Sequence, residues 1–182
     1  MKRTTTLALA VAALSLLLAS PAAAKRRVDA GRKAKQLMGQ LAKAGASQAD
    51  RIEEQIATLA TDLLYMDDVE PVLIKGLKSK SVRQRRAAAR LLRYTVSGAA
   101  VSPLATVVSK DRSADIRLEA VTSLCILKAE EAVGSLRAAG TGDRSAKVRA
   151  AATAALDVIE DRAGGRRAGC RRSLQRRLAL LR

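Results

Sequence analysis

The chain has 182 residues, 48% of them apolar, with no Trp, Phe or His and two tyrosines as its only aromatics. Without imidazole there is no Ser-His-Asp or Cys-His arrangement and no His metal ligand, so catalysis is left to carboxylates and two cysteines. The 34 Lys and Arg against 17 Asp and Glu give a net charge of +17, which fits anionic partners (nucleic acid, lipid head groups, envelope polymers, an acidic protein) or, alternatively, an Arg-heavy coding bias. The apolar residues are mostly Ala, Leu and Val. Strands favour aromatic and β-branched residues, whereas Ala, Leu and Arg are strong helix formers. The expected class is all-α.

Residues 1–24 read MKRTTTLALAVAALSLLLASPAAA. Lys2 and Arg3 are followed by an apolar run from Leu7 to Ala19, too short to span a bilayer. Pro21 breaks the run, and Ala22 and Ala24 are small residues ahead of a cut. This pattern predicts a signal peptide cleaved between Ala24 and Lys25, hence a periplasmic or extracellular protein.

Residues 25–67 are predicted to form an N-terminal helical hairpin that acts as a cap. Residues 25–30 read as a basic linker. Gly31–Lys43 reads as a helix with Leu37 and Leu41 on one face. Gly45-Ala46-Ser47 is a break, and Ser47 with Asp50 has the form of a capping box. The next helix is expected to reach Leu64, with Ile52, Ile56, Leu59 and Leu63 in line.

Residues 68–162 change rhythm into about three helical hairpins. DRSADIR at 111–117 returns as DRSAKVR at 143–149. Pro71 to Pro103, Val101 to Val133, Leu104 to Leu136 and Ile116 to Val148 share the same 32-residue spacing. Val82 to Ile116 is 34, which implies a shorter turn in the first hairpin. A fixed period in this range predicts stacked units. One hairpin cannot bury the stripe Ala120, Val121, Leu124, Leu127 or its partner Ala152, Thr153, Leu156, Ile159 alone. The predicted architecture is an α-α superhelix, a solenoid of stacked hairpins.

These residues resemble HEAT repeats of the PBS-lyase HEAT-like type. The early Pro (Pro71, Pro103), the turn Asp and the pairs Val82-Arg83, Ile116-Arg117 and Val148-Arg149 carry the resemblance. It implies a structural ladder of Asp111, Arg117, Asp143 and Arg149. Each Asp would accept from backbone N–H groups or from the Arg of its own or an adjacent unit. HEAT relatives with metal-dependent hydroxylase activity use His-Glu pairs, which this chain lacks. The expectation is therefore no enzyme, no cofactor, no metal and no small-molecule substrate.

Two basic stretches are candidate binding sites. The first holds Lys75, Lys78, Lys80, Arg83, Arg86, Arg90 and Arg93; on a helix, 83, 86, 90 and 93 share a face. Either an anionic partner or the acidic stretch before it would relieve the repulsion. The second is the tail, residues 163–182, with Arg171, Arg172, Arg176 and Arg177 beside Leu174, Leu178 and Leu181. A basic amphipathic segment suits an anionic membrane or polyanion; a disordered tail or a capping helix is the alternative. Cys125 and Cys170 could pair in an oxidising compartment. The expected role is an exported scaffold for an unidentified protein partner, or else a binder of anionic surfaces.

Overall fold

The computed structural model describes residues 21–62, 65–95, 97–160 and Ala179. Among them are eight α-helices and no strand. The first is α1, Pro21–Leu41, whose buried stripe Ala34, Leu37, Met38 and Leu41 repeats at helical spacing. The expected linker at 25–30 lies inside this helix. Its Lys and Arg residues have good helix propensity, and Gly31 is carried within the helix rather than starting it.

Helix α2, Ala46–Thr61, buries Ile52 and Ile56 against α1. Its N-cap is the extended Gly45, with no side-chain cap bond. The Ser47–Asp50 box does not form, because the helix begins before Ser47 and places that hydroxyl within the first turn. Leu63 and Leu64 fall outside the described residues.

Three hairpins come next along the chain. They are α3 (Met66–Gly76) with α4 (Val82–Leu91), α5 (Val101–Lys110) with α6 (Ala114–Ile126), and α7 (Val133–Gly142) with α8 (Ala146–Ile159). The second helices begin at Val82, Ala114 and Ala146, each 32 residues after the one before. The 34-residue reading of the first turn is therefore wrong. The counterpart of Ile116 is Gln84, not Val82, and the counterpart of DRSADIR is SKSVRQR at 79–85. Val82 is 56% exposed, whereas Ile116 and Val148 are fully buried.

The same period aligns Ala88, Ala120 and Ala152, which are fully buried. Their methyl-sized side chains let facing helices approach. One turn further on, Leu92 and Leu124 fill the layer with no exposure, each contributing roughly 1.5–3 kcal/mol by burial. The second helices stack in an unbroken row, α2 on α4, α4 on α6, α6 on α8. Buried Ser123 bonds across that row, its hydroxyl donating to the Ala89 carbonyl at 2.6 Å. The first helices stack less evenly. α1 packs on α3 and α5 on α7, but α3 and α5 make little direct contact.

Helix α6 closes on a left-handed residue, Lys128, at φ 51°. Its N–H donates to the Cys125 carbonyl and that of Ala129 to the Leu124 carbonyl, both at 3.1 Å. This paired closure satisfies two end carbonyls and turns the chain toward the third hairpin.

Candidate binding surfaces

Turn aspartates and second-helix arginines form the ladder, in which Arg85 and Arg117 each reach forward to the Asp of the next unit. Arg117 bonds Asp143 with both edges of the fork, Nε to Oδ2 at 2.7 Å and Nη2 to Oδ1 at 2.8 Å. Its Nη1 donates to the Asp111 and Arg112 carbonyls of its own turn. Arg85 repeats the scheme one unit earlier, with Nε to Asp111 Oδ2 at 2.8 Å and Nη1 on the Ser79 and Lys80 carbonyls. Asp111 and Asp143 also accept from the N–H groups of Ser113 and Ser145, at 2.9 and 2.7 Å, just ahead of α6 and α8.

Both members of the Arg117–Asp143 pair are buried, at 4% and 7% side-chain exposure. The hydrogen bonds from Arg117 hold the Asp143 carboxyl below the ordinary carboxylate range, against the opposing effect of burial. The bond to Asp143 likewise raises the Arg117 guanidinium above its ordinary value.

The ladder has two open ends. Arg149 donates to the Asp143 carbonyl at 2.6 Å, but among the described residues no carboxylate meets its other edge. At the start, Ser79 stands where the later units carry Asp. Its hydroxyl accepts from the Ser81 N–H at 3.1 Å and donates to Gln84. Among the described residues no earlier arginine reaches toward Ser79, so no carboxylate is needed there. Gln84 and Arg83 instead bond the Met38 and Ala44 carbonyls. They tie the first repeat to the last turn of α1, where helix carbonyls lack partners of their own, and to the loop that follows it.

The basic face of α4 is largely consumed within the fold. Arg90 pairs with Glu53 of α2. Arg93 meets Glu119 of α6 at 2.6 Å, and Arg86 approaches the same carboxylate at 3.8 Å. Burial lowers the Arg93 guanidinium from its ordinary value although Glu119 acts in the opposite direction. Glu119 thus relieves the repulsion between two arginines of the neighbouring unit. Lys75, Lys78 and Lys80 remain exposed.

A different basic surface appears at the turns. Lys80, Arg112 and Arg144 occupy the same register position in successive repeats, and all are exposed. The Arg144 Nη2 donates to the Arg112 carbonyl at 3.0 Å, so neighbouring turns touch. Lys110 and Lys147 are exposed on the same edge, as is the acid Asp115. Sequence reading counts Arg85 in the basic stretch 75–93 but not in the ladder, and it misses Lys110, Arg112 and Arg144. The 32-residue recurrence of Arg85, Arg117 and Arg149, and of Ser81, Ser113 and Ser145, was the signal that could have found them.

Cys125 is fully buried in α6 and is held in a disulfide. Cys170, Arg171, Arg172, Arg176 and Arg177 lie outside the described residues. Among the described residues no group of His, Cys, Asp or Glu is placed to hold a metal ion, and no helix is long and apolar enough to cross a membrane.

Helical hairpins in register, joined by a ladder, define an α-α repeat solenoid. Residues 70–157 match the family described as HEAT repeats, to which this part of the chain is similar. No curated protein and no solved structure matches the chain.

Proposed function

We propose that the chain works outside the cytoplasm as a non-catalytic scaffold that holds another protein. The observation that carries this reading is the HEAT-repeat array at 70–157, a stack whose ladder fixes one unit on the next. Such repeats commonly mediate protein–protein contact. The leader-like residues 1–24 support export. So does the disulfide at Cys125, since such bonds persist in oxidising compartments; its proposed partner is Cys170, the other cysteine of the chain. In a bacterial host with a periplasm, intact mass should find Lys25 as the first residue of the exported protein. A full-length chain confined to the cytosol would remove the export reading.

A second reading has the chain hold anionic surfaces through the Arg-rich tail. The exposed Lys75, Lys78 and Lys80 favour it. Pull-down from the exported fraction separates the two, using the full chain and one ending at Arg162. A packed protein interface keeps its partner at high salt and without the tail. Contacts made by charge alone weaken steeply with salt.

A further inference from the structure

The gap between α3 and α5 is a groove of about 430 Å³ that reaches Lys78, Lys110 and Asp111 at the turns. Ile74, Leu77, Pro103 and Val107 give it an apolar floor, and Lys78 and Lys110 stand on its rim. Those lysines are register equivalents, one after α3 and one ending α5. Beyond them runs the row Lys80, Arg112 and Arg144, about 10 Å between repeats by helix-packing distance. The carboxylates nearest this row cannot neutralise it. Asp111 and Asp143 are already bonded to Arg85 and Arg117 and are only 6% and 7% exposed. Asp115 is the acid left exposed on the edge. The ladder therefore removes negative charge from the turns and leaves the positive charge outside.

We propose that this edge is a docking site for an acidic peptide segment, with an apolar side chain in the α3–α5 groove and flanking carboxylates on the basic row. The proposal rests on the scaffold reading and names the chemistry of its partner. Charge complementarity selects the acidic partner, and the apolar floor selects a peptide over a bare polyanion. Neither tyrosine lines the groove, so the stacking platform that single-stranded nucleic acid uses is lacking at this place.

The test is fluorescence anisotropy of the full chain with a labelled peptide of repeated Asp-Glu-Leu-Glu units. A version with Ser for Leu, a labelled poly-dT oligonucleotide and phosphatidylglycerol vesicles serve as comparisons. The Leu peptide should bind, more weakly as salt rises. Lys80→Glu/Arg112→Glu/Arg144→Glu should weaken it by roughly tenfold or more. Thr106→Trp fills the groove from an exposed position and should reduce the Leu peptide to the affinity of the Ser version. Lys78→Glu/Lys110→Glu gives a second charge variant if the triple variant loses its thermal unfolding transition. Affinity unchanged in the charge variants and in Thr106→Trp overturns the proposal. Equal binding of poly-dT or vesicles, indifferent to Thr106→Trp, overturns it in favour of a general polyanion site. If the triple variant still retains a protein from the exported fraction, the scaffold reading stands and this docking site falls. If the peptide binds as described but the exported fraction yields no protein, the docking site stands and the scaffold reading falls.

Discussion

Asp143, like Asp111 one unit earlier, has two tasks in its turn. It orders the entry to α8 through the Ser145 N–H and holds the buried fork of Arg117. Asp143→Ala leaves that guanidinium buried without its partner, at a cost of about 3–5 kcal/mol, measurable by urea unfolding. The carboxyl is depressed in the folded chain, so its contribution is present above the unfolded value of about 3.9 and is lost as pH falls through the folded one. The stability gap between the wild type and Asp143→Asn should be constant near neutral pH and shrink below about pH 4. A gap that widens in acid would contradict this origin. Lys128 makes the opposite case. It sits in a left-handed conformation at φ 51°, where a Cβ costs roughly 1–2 kcal/mol. Lys128→Gly removes that cost but adds glycine's entropy in the unfolded chain. The expected balance is a gain of up to about 1 kcal/mol, read as a rise in Tm.

At the scale of helices, the ladder makes the repeats unequal. Arg117→Met should destabilise by about 3–5 kcal/mol, because Asp143 is then buried unpaired. Arg149→Met removes the same side chain from the last repeat, where it donates to a backbone carbonyl. Its cost should be nearer 1 kcal/mol. Equal losses would mean that the forward bond is not what distinguishes them. These differences also explain what the sequence made legible. The hairpins and the 32-residue period were readable from Asp111 and Asp143, and from Leu104 and Leu136, because identical packing demands identical residues. The first repeat was misaligned because Val82 imitates Ile116: each is β-branched and precedes an arginine. Gln84 hid the true register, being a polar residue in an apolar slot. It is polar because its neighbour is the end of α1, whose carbonyls need donors. The pairing of Arg93 with Glu119 was not readable, since neither residue recurs at the 32-residue period. Period alone does not say which face of one unit meets the next.

At the scale of the whole molecule, charge is sorted by layer. Between the second helices, arginines meet Glu53 and Glu119 inside the stack. Along the turns, the aspartates are withdrawn into the ladder and the lysines and arginines face water. Part of the excess charge read from composition is therefore found along the turns rather than on the α4 face, and the Arg-rich residues 163–182 hold much of the rest. The proposed Cys125–Cys170 bond acts at this scale too, since it would fasten the end of the chain to the second repeat. Peptide mapping without reductant should recover the two cysteines in one linked fragment. Reduction should lower stability by about 2–4 kcal/mol. Free thiols at both positions in the exported protein would remove the pairing.

The forward reach of Arg85 and Arg117 gives the array a direction, and with it a rule for growth. A unit that brings Asp in its turn and Arg in its second helix accepts from the unit before and offers to the unit after. Residues 111–142 are such a unit. A duplicate inserted after Gly142 would find Arg117 ready to bond its Asp, and its own Arg would meet Asp143. The first repeat has no such freedom to move. With Ser79 in its turn it can begin an array but cannot continue one. Lengthening by duplication is thus open to the middle of this protein and closed to its start.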